Sequence, residues 1–437
     1  MQIQYEKRIL DNGLNVIVCE ERSCPIVSVN LWYHVGSKNE KPGSTGFAHL
    51  FEHLMFEGSE HHDKGYFYPL QEVGGTLNGS TSTDRTNYWE VVPVAAFERA
   101  LWMESDRMGF LLPALTQKKF DNQRDVVLNE RRQNYENRPY GLVPIALMSA
   151  LYPEGHPYSW VTIGEVEDIQ NAHLDDVKEF FANFYHPANA SIAIAGDVRT
   201  DEVFRQVNRY FGEIAPGPVP PALVSTTVRE PTNEIRLSLT DDIESPRLYL
   251  SWLTPSLFEC GDAEFDILGD ILAGGKSSRL YRSLVHEREI ALDVSAGQGS
   301  RELSSSFSIV ATASPGHTLD ELEAVIMDEL LALMATGPTE SEVECSIASI
   351  EADFVYRLQS VGGFGGLSDQ LNAYNVYTGN PGYFEKDRDR YTQTDTTQIK
   401  ETATRYLKPQ HRVALGVVPE TDGAGLALSE SVMVHPK

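Results

Sequence analysis

The sequence lacks long apolar runs, has few cysteines and is short of basic residues. No run approaches the ~20 apolar residues that a membrane-spanning helix needs, so no membrane span is predicted. The 36 basic residues are outnumbered by 63 acidic ones, which gives a net charge of −27. This balance argues against nucleic acid or an anionic membrane surface as a partner. The amino-terminal stretch "MQIQYEKRIL" is not typical of a signal peptide.

The four cysteines are Cys19, Cys24, Cys260 and Cys345, and no CxxC pair occurs among them. The stretch "VIVCEERSCPIVSV" predicts two strands joined by a short turn, so Cys19 and Cys24 could meet across a hairpin. Separate, reduced cysteines are the favoured interpretation, because a disulfide there would require an oxidising compartment.

A chain of 437 residues is long for one hydrophobic core, so two domains are expected. The clearest break is the proline-rich stretch "EIAPGPVPPALVSTTVREPTNEI", which cannot sustain a helix or a central strand. We therefore predict an amino-terminal half at 1–215, a linker at 216–235 and a carboxy-terminal half at 236–437.

The two halves resemble each other. Three segments of the first half recur in the second at a nearly constant offset: 24–35 at 245–256, "TGFAHLFEHLMFEG" at "AEFDILGDILAGG", and 175–198 at 397–418. This predicts two copies of one fold. Each copy mixes short β-branched runs with segments of helical periodicity, so the predicted fold class is α+β, with mixed antiparallel sheets and flanking helices.

The stretch "GFAHLFEHLMFEGSEHH", residues 46–62, holds four of the twelve histidines. On a helix over 44–56, with Ser44 or Thr45 as N-cap, His49, Glu52 and His53 share a narrow stripe opposite the apolar side chains. Two imidazoles and a carboxylate can hold Zn²⁺ and leave a position for a water, whose pKa falls towards ~7. Glu52 is placed to accept the proton of that water.

Two questions stay open from the residues alone. His49, Glu52 and His53 could form only a solvated stripe, although the HxxEH order favours the zinc site. The third ligand cannot be chosen by spacing, and the candidates are Glu57, Glu72, Glu90, Glu98, Glu104, Glu130 and Glu136. His61 and His62 follow Gly58 in turn-rich sequence and are expected to face solvent.

The HLFEH motif, followed 77 residues later by Glu130 in "DVVLNERRQ", resembles the pitrilysin/insulinase family of zinc peptidases. The likeness is to its small two-half branch, which includes mitochondrial processing peptidase and bacterial relatives. It extends over "LDNGLNVIV", "GSKNE", "GGTLNGSTSTDRTNYW", "NERRQNYENRPYG", "IAGDV" and "GGKSSRLYRSLVHEREIA".

The resemblance implies that His49, His53 and Glu130 are the zinc ligands and that Glu52 is the general base. It also implies two bowl-shaped halves around a chamber, in which an unfolded peptide binds as an added strand. Asn78 in "TLNGSTS" matches the family segment that lines this substrate strand.

The second half carries Ile267 and Ile271 opposite the two histidines, and Asp270 opposite Glu52. It is therefore not expected to bind zinc. One site per chain is the prediction, and the second half would close the chamber.

Two departures from the family pattern matter. Gln123 stands seven residues before Glu130, where the family usually has a second glutamate near the site. Active members also carry an arginine and a tyrosine seven residues apart in the second half, and here these positions are Val285 and Leu292. The resemblance therefore implies that a paralogous, zinc-less partner chain supplies this pair, in a heterodimer or a dimer of heterodimers.

The resulting hypothesis is a zinc metalloendopeptidase subunit that cleaves peptides or unfolded polypeptides. The alternative is a non-catalytic core subunit of a larger complex, which would have no reason to keep the four site residues together. From the resemblance of "DNQRDVVLNERRQ" to exported bacterial members we expect a periplasmic location, with the cytoplasm as the alternative.

Overall fold

The computed structural model describes residues 3–223, 228, 231–420 and 432–433. Parts of the predicted linker, residues 224–227 and 229–230, lie outside the described residues. Within the described part of the chain, no helix combines the length and the apolar character needed to cross a bilayer.

Short strands alternate with helices along the chain. The strands are β1 Glu6–Ile9, β2 Asn15–Glu20, β3 Ile26–Tyr33, β4 Thr76–Thr81, β5 Thr86–Pro93, β6 Ala190–Gly196, β7 Ile235–Asp241, β8 Arg247–Thr254, β9 Ala291–Gly299, β10 Ser305–Ala313, β11 Arg412–Pro419 and β12 Val432–Met433. The helices are α1 Phe47–Leu54, α2 Phe67–Gln71, α3 Phe97–Ala114, α4 Gln117–Arg131, α5 Val143–Leu151, α6 Val166–Asn171, α7 Leu174–Phe184, α8 Thr200–Phe211, α9 Asp262–Ala273, α10 Leu319–Thr336, α11 Glu340–Arg357, α12 Leu367–Thr378, α13 Phe384–Thr392 and α14 Thr396–Tyr406.

The strands form two sheets with the same internal order. The first runs β1-β2-β6-β3-β5-β4 and the second β12-β7-β11-β8-β10-β9. In each, a parallel pair (β2 with β6, β7 with β11) sits beside antiparallel strands. The zinc-motif helix α1 follows β3 as α9 follows β8, at the positions where the sequence repeats. The predicted α+β class and the internal repeat are therefore confirmed.

One pairing differs from the sequence prediction. The two predicted strands are present: β2 contains Cys19, and β3 is the next strand along the chain. They do not form a hairpin, because β6 lies between them in the sheet. All seven residues of β6 are buried, and a strand that is buried on both faces is stabilised by a central position in the sheet. Cys19 is buried, Cys24 is exposed, and both are free thiols.

Each sheet belongs to a separate compact unit. Each unit also contains a segment from the other half of the chain, which we call an exchanged segment. The first unit comprises the described residues of 1–131, 160–224 and 353–386. The second comprises those of 132–159, 225–352 and 387–437. The predicted halves are continuous along the chain, whereas these compact units are not.

The exchanged segment 353–386 packs on the first sheet. Its helix α12 lies against β6 and β3. Leu367 and Leu371 of α12 form a buried cluster with Ile17 and Cys19 of β2. Helices α1 and α3 also contact the first sheet, through β4 for α1 and through β3 and β5 for α3. The sheet is thus covered by helices from distant parts of the sequence.

Candidate active site

Helix α1 carries the HxxEH motif, and its first turn is fixed by a buried carboxylate. The oxygens of Glu40 accept hydrogen bonds from the backbone N–H groups of Gly46 (2.9 Å) and Ala48 (2.8 Å). The helix begins at Phe47 after Gly46, whose φ of 87° suits glycine. Glu40 thereby satisfies donors that a helix start leaves without an intrahelical partner.

The predicted N-caps, Ser44 and Thr45, were wrong. Thr45 is occupied elsewhere, because its N–H and its hydroxyl both donate to Asp168 and its hydroxyl accepts from the N–H of Glu165. The sequence prediction considered only local capping, whereas the cap comes from Glu40, six residues before Gly46.

The predicted faces of α1 are observed. Its apolar side chains, Phe47, Ala48, Leu50, Phe51 and Leu54, are buried. The ring of Phe51 stacks on that of Tyr185 at a centroid distance of 5.0 Å. This packing fixes the rotation of the helix, so His49, Glu52 and His53 share the opposite stripe.

Helix α4 brings Glu130 to the two histidines. Glu130 Oε2 lies 3.3 Å from His53 Nε2 and 3.7 Å from His49 Nε2. One potential ligand atom from each residue lies within 4.8 Å of the others. Among the described residues, no other set of three histidine, cysteine or acidic side chains converges in this way.

The protonation preferences of these groups differ. Burial, with a smaller contribution from the nearby His53, lowers the pKa of His49 to about 4, which favours a neutral imidazole at pH 7. For His53, burial also lowers the pKa, but the hydrogen bond and charge of Glu130 outweigh it and the pKa is raised. The same hydrogen bond from His53 lowers the pKa of Glu130, which favours the carboxylate.

These residues fit a zinc ion. Two imidazole nitrogens and one carboxylate oxygen are a donor set that zinc takes with an open coordination position. The three residues are half-buried, and their ligand atoms lie within 4.8 Å of one another, so one ion can contact all three. The Nδ1 atom of His49 is buried and lacks a hydrogen-bond partner among the described residues.

Glu52 lies beside this group and is held by the neighbouring strand. The hydroxyl of Thr81, at the end of β4, donates a hydrogen bond of 2.6 Å to Glu52 Oε2. Burial raises the pKa of Glu52, while the bond from Thr81 lowers it. One oxygen of Glu52 is thus held in place, and the other is left for a reacting group.

Gln123, predicted near the site, lies beside the acidic side chain of Glu57. Its Nε2 donates a hydrogen bond to Glu57 Oε1 at 2.5 Å. It shares α4 with Glu130. The prediction placed Gln123 near the site from its position seven residues before Glu130, but did not anticipate Glu57 as its partner.

Asn78 lies in β4, at the end of the first sheet. It is exposed, and its side-chain oxygen accepts a hydrogen bond from the N–H of Gly79. One side of β4 pairs with β5, and its other side has no strand partner among the described residues. Such an edge can pair with an extended peptide.

A network of polar side chains connects β4 through β5 to helix α12. Ser80 of β4 donates to Asn87 Oδ1 of β5 (2.7 Å), and Asn87 Nδ2 donates to Asp369 Oδ1 (3.0 Å). The same Asp369 oxygen accepts from Asn30 and from the indole of Trp32. Asp369 lies on α12, in the exchanged segment, so a residue nearly 290 positions from β4 in sequence supports that strand.

The other acidic candidates and histidines are engaged elsewhere. Glu90 and Glu104 pair with the buried Arg107, and Glu98 accepts from Tyr210. His61 is hydrogen-bonded to Asp106, and His62 to the carbonyl of Gly65.

The equivalent helix of the second unit lacks the zinc motif. On α9, Ile267 and Ile271 are buried, and the stripe carries no imidazole. Val285 lies in a π-helical turn and is half-buried, and Leu292 lies on the edge strand β9 with 53% of its surface exposed. Leu292 thus presents an apolar side chain where the resemblance expects a tyrosine.

Sequence profiles match both parts of the chain. The profile described as insulinase (peptidase family M16) matches residues 16–159. The profile described as the peptidase M16 inactive domain matches residues 171–349. The chain belongs to the M16 (pitrilysin/insulinase) peptidase family. The predicted family is therefore confirmed.

M16 members from bacteria are similar to this chain over nearly its whole length. Zinc protease PqqE of Helicobacter pylori is 28% identical over 95% of this chain and 93% of its own. The crystal structure of a protease from Helicobacter pylori has a TM-score of 0.87 at 26% identity, covering 95% of this chain and 100% of that one.

A longer protein of known structure shows the same fold. The periplasmic protease PqqL from Escherichia coli has a TM-score of 0.79 at 17% identity. The match covers 96% of this chain and 48% of PqqL. The present chain thus corresponds in fold to about half of that protein.

Proposed function

We propose that this chain is a zinc-dependent endopeptidase subunit that hydrolyses peptides or unfolded polypeptides. The convergence of His49, His53 and Glu130, with Glu52 held beside them by Thr81, carries this proposal. His49, His53 and Glu130 would hold the metal. The zinc protease names of relatives support the assignment.

Zinc, when bound, would act as a Lewis acid and lower the pKa of a coordinated water towards ~7. The chain's own residues supply the rest of the chemistry. Glu52 in its carboxylate form accepts a proton from the attacking water and passes it to the leaving amine. Thr81 fixes one oxygen of Glu52, which keeps the free oxygen oriented for both transfers.

The substrate would bind as an additional strand along β4. The free edge of β4 offers backbone N–H and C=O groups, which recognise an extended chain largely irrespective of its side chains. Asn78 lies on this strand, and Thr81 at its end contacts Glu52. A peptide paired with β4 would therefore run past the proposed base.

A partner chain is part of the proposal. Val285 and Leu292 cannot donate the hydrogen bonds of the arginine and tyrosine that the family resemblance implies for substrate binding. PqqL, in which this fold fills about half of a longer chain, supports an assembly of two such bodies. We propose that a paralogous chain without the zinc ligands supplies the missing pair, and that the pair of chains acts in the periplasm.

The direct test is metal analysis followed by cleavage of a quenched-fluorescent peptide library. We expect about one zinc per chain, and we expect Glu52→Gln to retain zinc but lose cleavage. Asp270→Asn is the matched control, because Asp270 occupies the corresponding position on α9. Wild-type turnover by the Glu52→Gln variant would refute the role of Glu52.

The partner is tested by the same assay. The purified chain alone should bind zinc but cleave slowly, and a paralogous chain should restore turnover. Robust cleavage by the isolated chain would refute the need for a partner. A chain without zinc and without activity would instead favour the alternative of a structural core subunit.

A further inference from the structure

We infer that Arg85 is a substrate-binding residue that pairs with a carboxylate of the bound peptide. Arg85 lies in the turn between β4 and β5, next to the strand along which we propose that the peptide binds. The inference rests on the proposed function and extends it, because it names a class of substrate: peptides that carry a carboxylate close to the cleaved bond.

The guanidinium group of Arg85 is a half-buried cation that is paired on one side only. Its Nη1 donates to the carbonyl oxygen (2.8 Å) and the hydroxyl (2.5 Å) of Ser80 and to Asn87 Oδ1 (3.2 Å). Among the described residues, Nε and Nη2 have no hydrogen-bond partner, and neither atom is fully buried. Arginine that is withdrawn from water is usually paired with an acid, so the open side of Arg85 favours a partner from another molecule.

The carboxylates near Arg85 are occupied by other groups. Asp84, the adjacent residue, pairs with the buried Lys38 at 3.5 Å. Asp369 accepts three side-chain hydrogen bonds at Oδ1 and the N–H of Gly365 at Oδ2. Within the described part of the chain, no carboxylate therefore neutralises the charge of Arg85.

The position of Arg85 is fixed before a peptide binds. Its backbone N–H and that of Asp84 donate to Ser82 Oγ, and its carbonyl oxygen accepts from the N–H of Ser82. The guanidinium group lies over the ring of Trp32, 5.3 Å from its centroid. A group that is already held in place loses little conformational entropy on binding, so more of its interaction energy contributes to affinity.

Arg85 lies on the face of β4 that is opposite to Glu52. Side chains of a strand alternate between its two faces. Thr81 reaches Glu52 on one face, so the side chain of the adjacent Ser80, which contacts Arg85, lies on the other. A peptide paired with β4 alternates in the same way, and every second side chain would point to the face of Arg85. Because Ser80 and Thr81 are neighbours, the peptide residue beside Arg85 would be close to the bond at which Glu52 acts.

The open side of the guanidinium group suits a carboxylate. Nε and Nη2 lie on the same edge of the planar group and form a fork of two N–H donors, which matches the two oxygens of a carboxylate. In a peptide, this carboxylate belongs either to a glutamate or aspartate side chain or to the carboxyl terminus. Both sources present the same chemistry to Arg85, and the experiment separates them.

The test is the binding of labelled peptides to the Glu52→Gln variant, in which cleavage does not disturb the measurement. The probes are six-residue peptides, the length of β4, with fluorescein at the amino end and an amide at the carboxyl end. One glutamate is moved through the positions, and each peptide is compared with its glutamine counterpart by fluorescence anisotropy. We expect glutamate at one position to bind about tenfold more tightly, as for a hydrogen bond to a charged group. A glutamine peptide with a free carboxyl end tests the carboxyl terminus as the source.

Variants of Arg85 are compared in the same background. Arg85→Gln should bind the carboxylate peptide and its neutral counterpart equally, and Arg85→Lys should keep only part of the preference because lysine lacks the fork. Arg205→Gln is the matched control, since Arg205 is an exposed arginine on α8 of the same unit and should leave the preference unchanged. The ratio of the two affinities is taken within each variant, so partial unfolding does not alter it.

An arginine that only stabilised the turn would give a different result. Arg85→Gln would then weaken both peptides equally and keep the ratio of their affinities. A preference that persists in Arg85→Gln, or the absence of any preference for a carboxylate before Arg85 is changed, would overturn the inference.

Cleavage is measured separately with the chain that retains Glu52. If Arg85 determines binding but no peptide is cleaved with any partner, the proposed function fails and the inference stands. If peptides are cleaved without a preference for a carboxylate, the inference fails and the proposed function stands. If no peptide binds, both fail.

Discussion

The hydroxyl of Thr81 and the carboxylate of Glu52 are joined by a hydrogen bond of 2.6 Å. This bond links the edge strand β4 to the helix of the zinc motif. It places the proposed base, Glu52, at the end of β4, the strand along which we propose that the peptide binds. The same strand therefore positions both the peptide and Glu52.

Thr81→Val should therefore shift the pH dependence of cleavage. Glu52 acts as a base only when ionised, and the bond from Thr81 lowers its pKa. Removing that bond raises the pKa, so the acid limb of kcat/KM should move to higher pH. A shift of about one pH unit corresponds to ~1.4 kcal/mol, close to the lower limit for a hydrogen bond to a charged group.

Thr81→Ser keeps the hydroxyl and is the control for this shift. The acid limb of its pH profile should coincide with that of the wild-type chain. An unchanged limb in Thr81→Val would show that Thr81 does not influence the ionisation of Glu52 during catalysis.

Asp369→Ala should weaken substrate binding more than turnover. Asp369 accepts a hydrogen bond from Asn87, which in turn accepts one from Ser80 of β4. A less ordered strand must be ordered again when it pairs with a peptide. We expect KM to rise about tenfold, or ~1.4 kcal/mol, with kcat nearly unchanged.

Zinc content and melting temperature serve as controls for Asp369→Ala. Asp369→Asn keeps one oxygen acceptor and should raise KM less. A fall in kcat as large as the rise in KM, or a loss of zinc, would mean that Asp369 stabilises the whole unit rather than β4.

The sequence was informative where the signal is local. Helical periodicity separated the apolar back of α1 from the stripe of His49, Glu52 and His53, because residues three and four apart share a face of a helix. Glu130 could not be selected this way, since seven glutamates were possible. Only the family resemblance pointed to it, and the structure places it at the two histidines.

Other features depend on contacts distant in sequence and leave no local pattern. Glu40 caps α1 from the preceding turn, and Asp369 reaches β5 from the exchanged segment. The position of β6 between β2 and β3 also depends on contacts distant in sequence. The short connection between β2 and β3 predicts a hairpin, and only the complete burial of β6 indicates that it lies between them. The stretch "GSKNE" was noted in the sequence, but nothing in it indicated that its glutamate, Glu40, would cap a helix.

Glu40→Ala should destabilise the first compact unit, which contains α1. It would leave the N–H groups of Gly46 and Ala48, both buried, without their acceptor. A buried donor left without a partner costs about 1–3 kcal/mol, so we expect a loss of about 2–4 kcal/mol in the free energy of unfolding. Urea denaturation of the metal-free protein measures this directly.

Glu21→Ala provides a control, because Glu21 is only half-buried and its carboxylate accepts from the N–H of Ser23. Its effect should be below about 1 kcal/mol. A Glu40→Ala variant as stable as the wild-type protein would show that water replaces the cap.

Removal of zinc should lower the melting temperature of the wild-type chain. A ligand that binds only the folded state adds about 2.7 kcal/mol of stability at a free concentration of 100 Kd. Differential scanning fluorimetry with and without a chelator measures the shift. His49→Ala should bind zinc weakly and show a much smaller difference, and an equal shift in both proteins would place the metal elsewhere.

The double variant Val285→Arg/Leu292→Tyr should make the isolated chain a better peptidase. Leu292 is exposed on the edge strand β9, where tyrosine is favourable, and half-buried Val285 leaves room for an arginine to extend towards water. Arginine and tyrosine are the side chains that most often dominate binding, at 2 kcal/mol or more. If their absence is what makes a partner necessary, kcat/KM of the chain alone should rise by about tenfold or more, and the paralogous chain should then add little. Each single variant should give a smaller gain. No gain in the double variant, with zinc content and stability unchanged, would mean that the partner supplies something other than this pair.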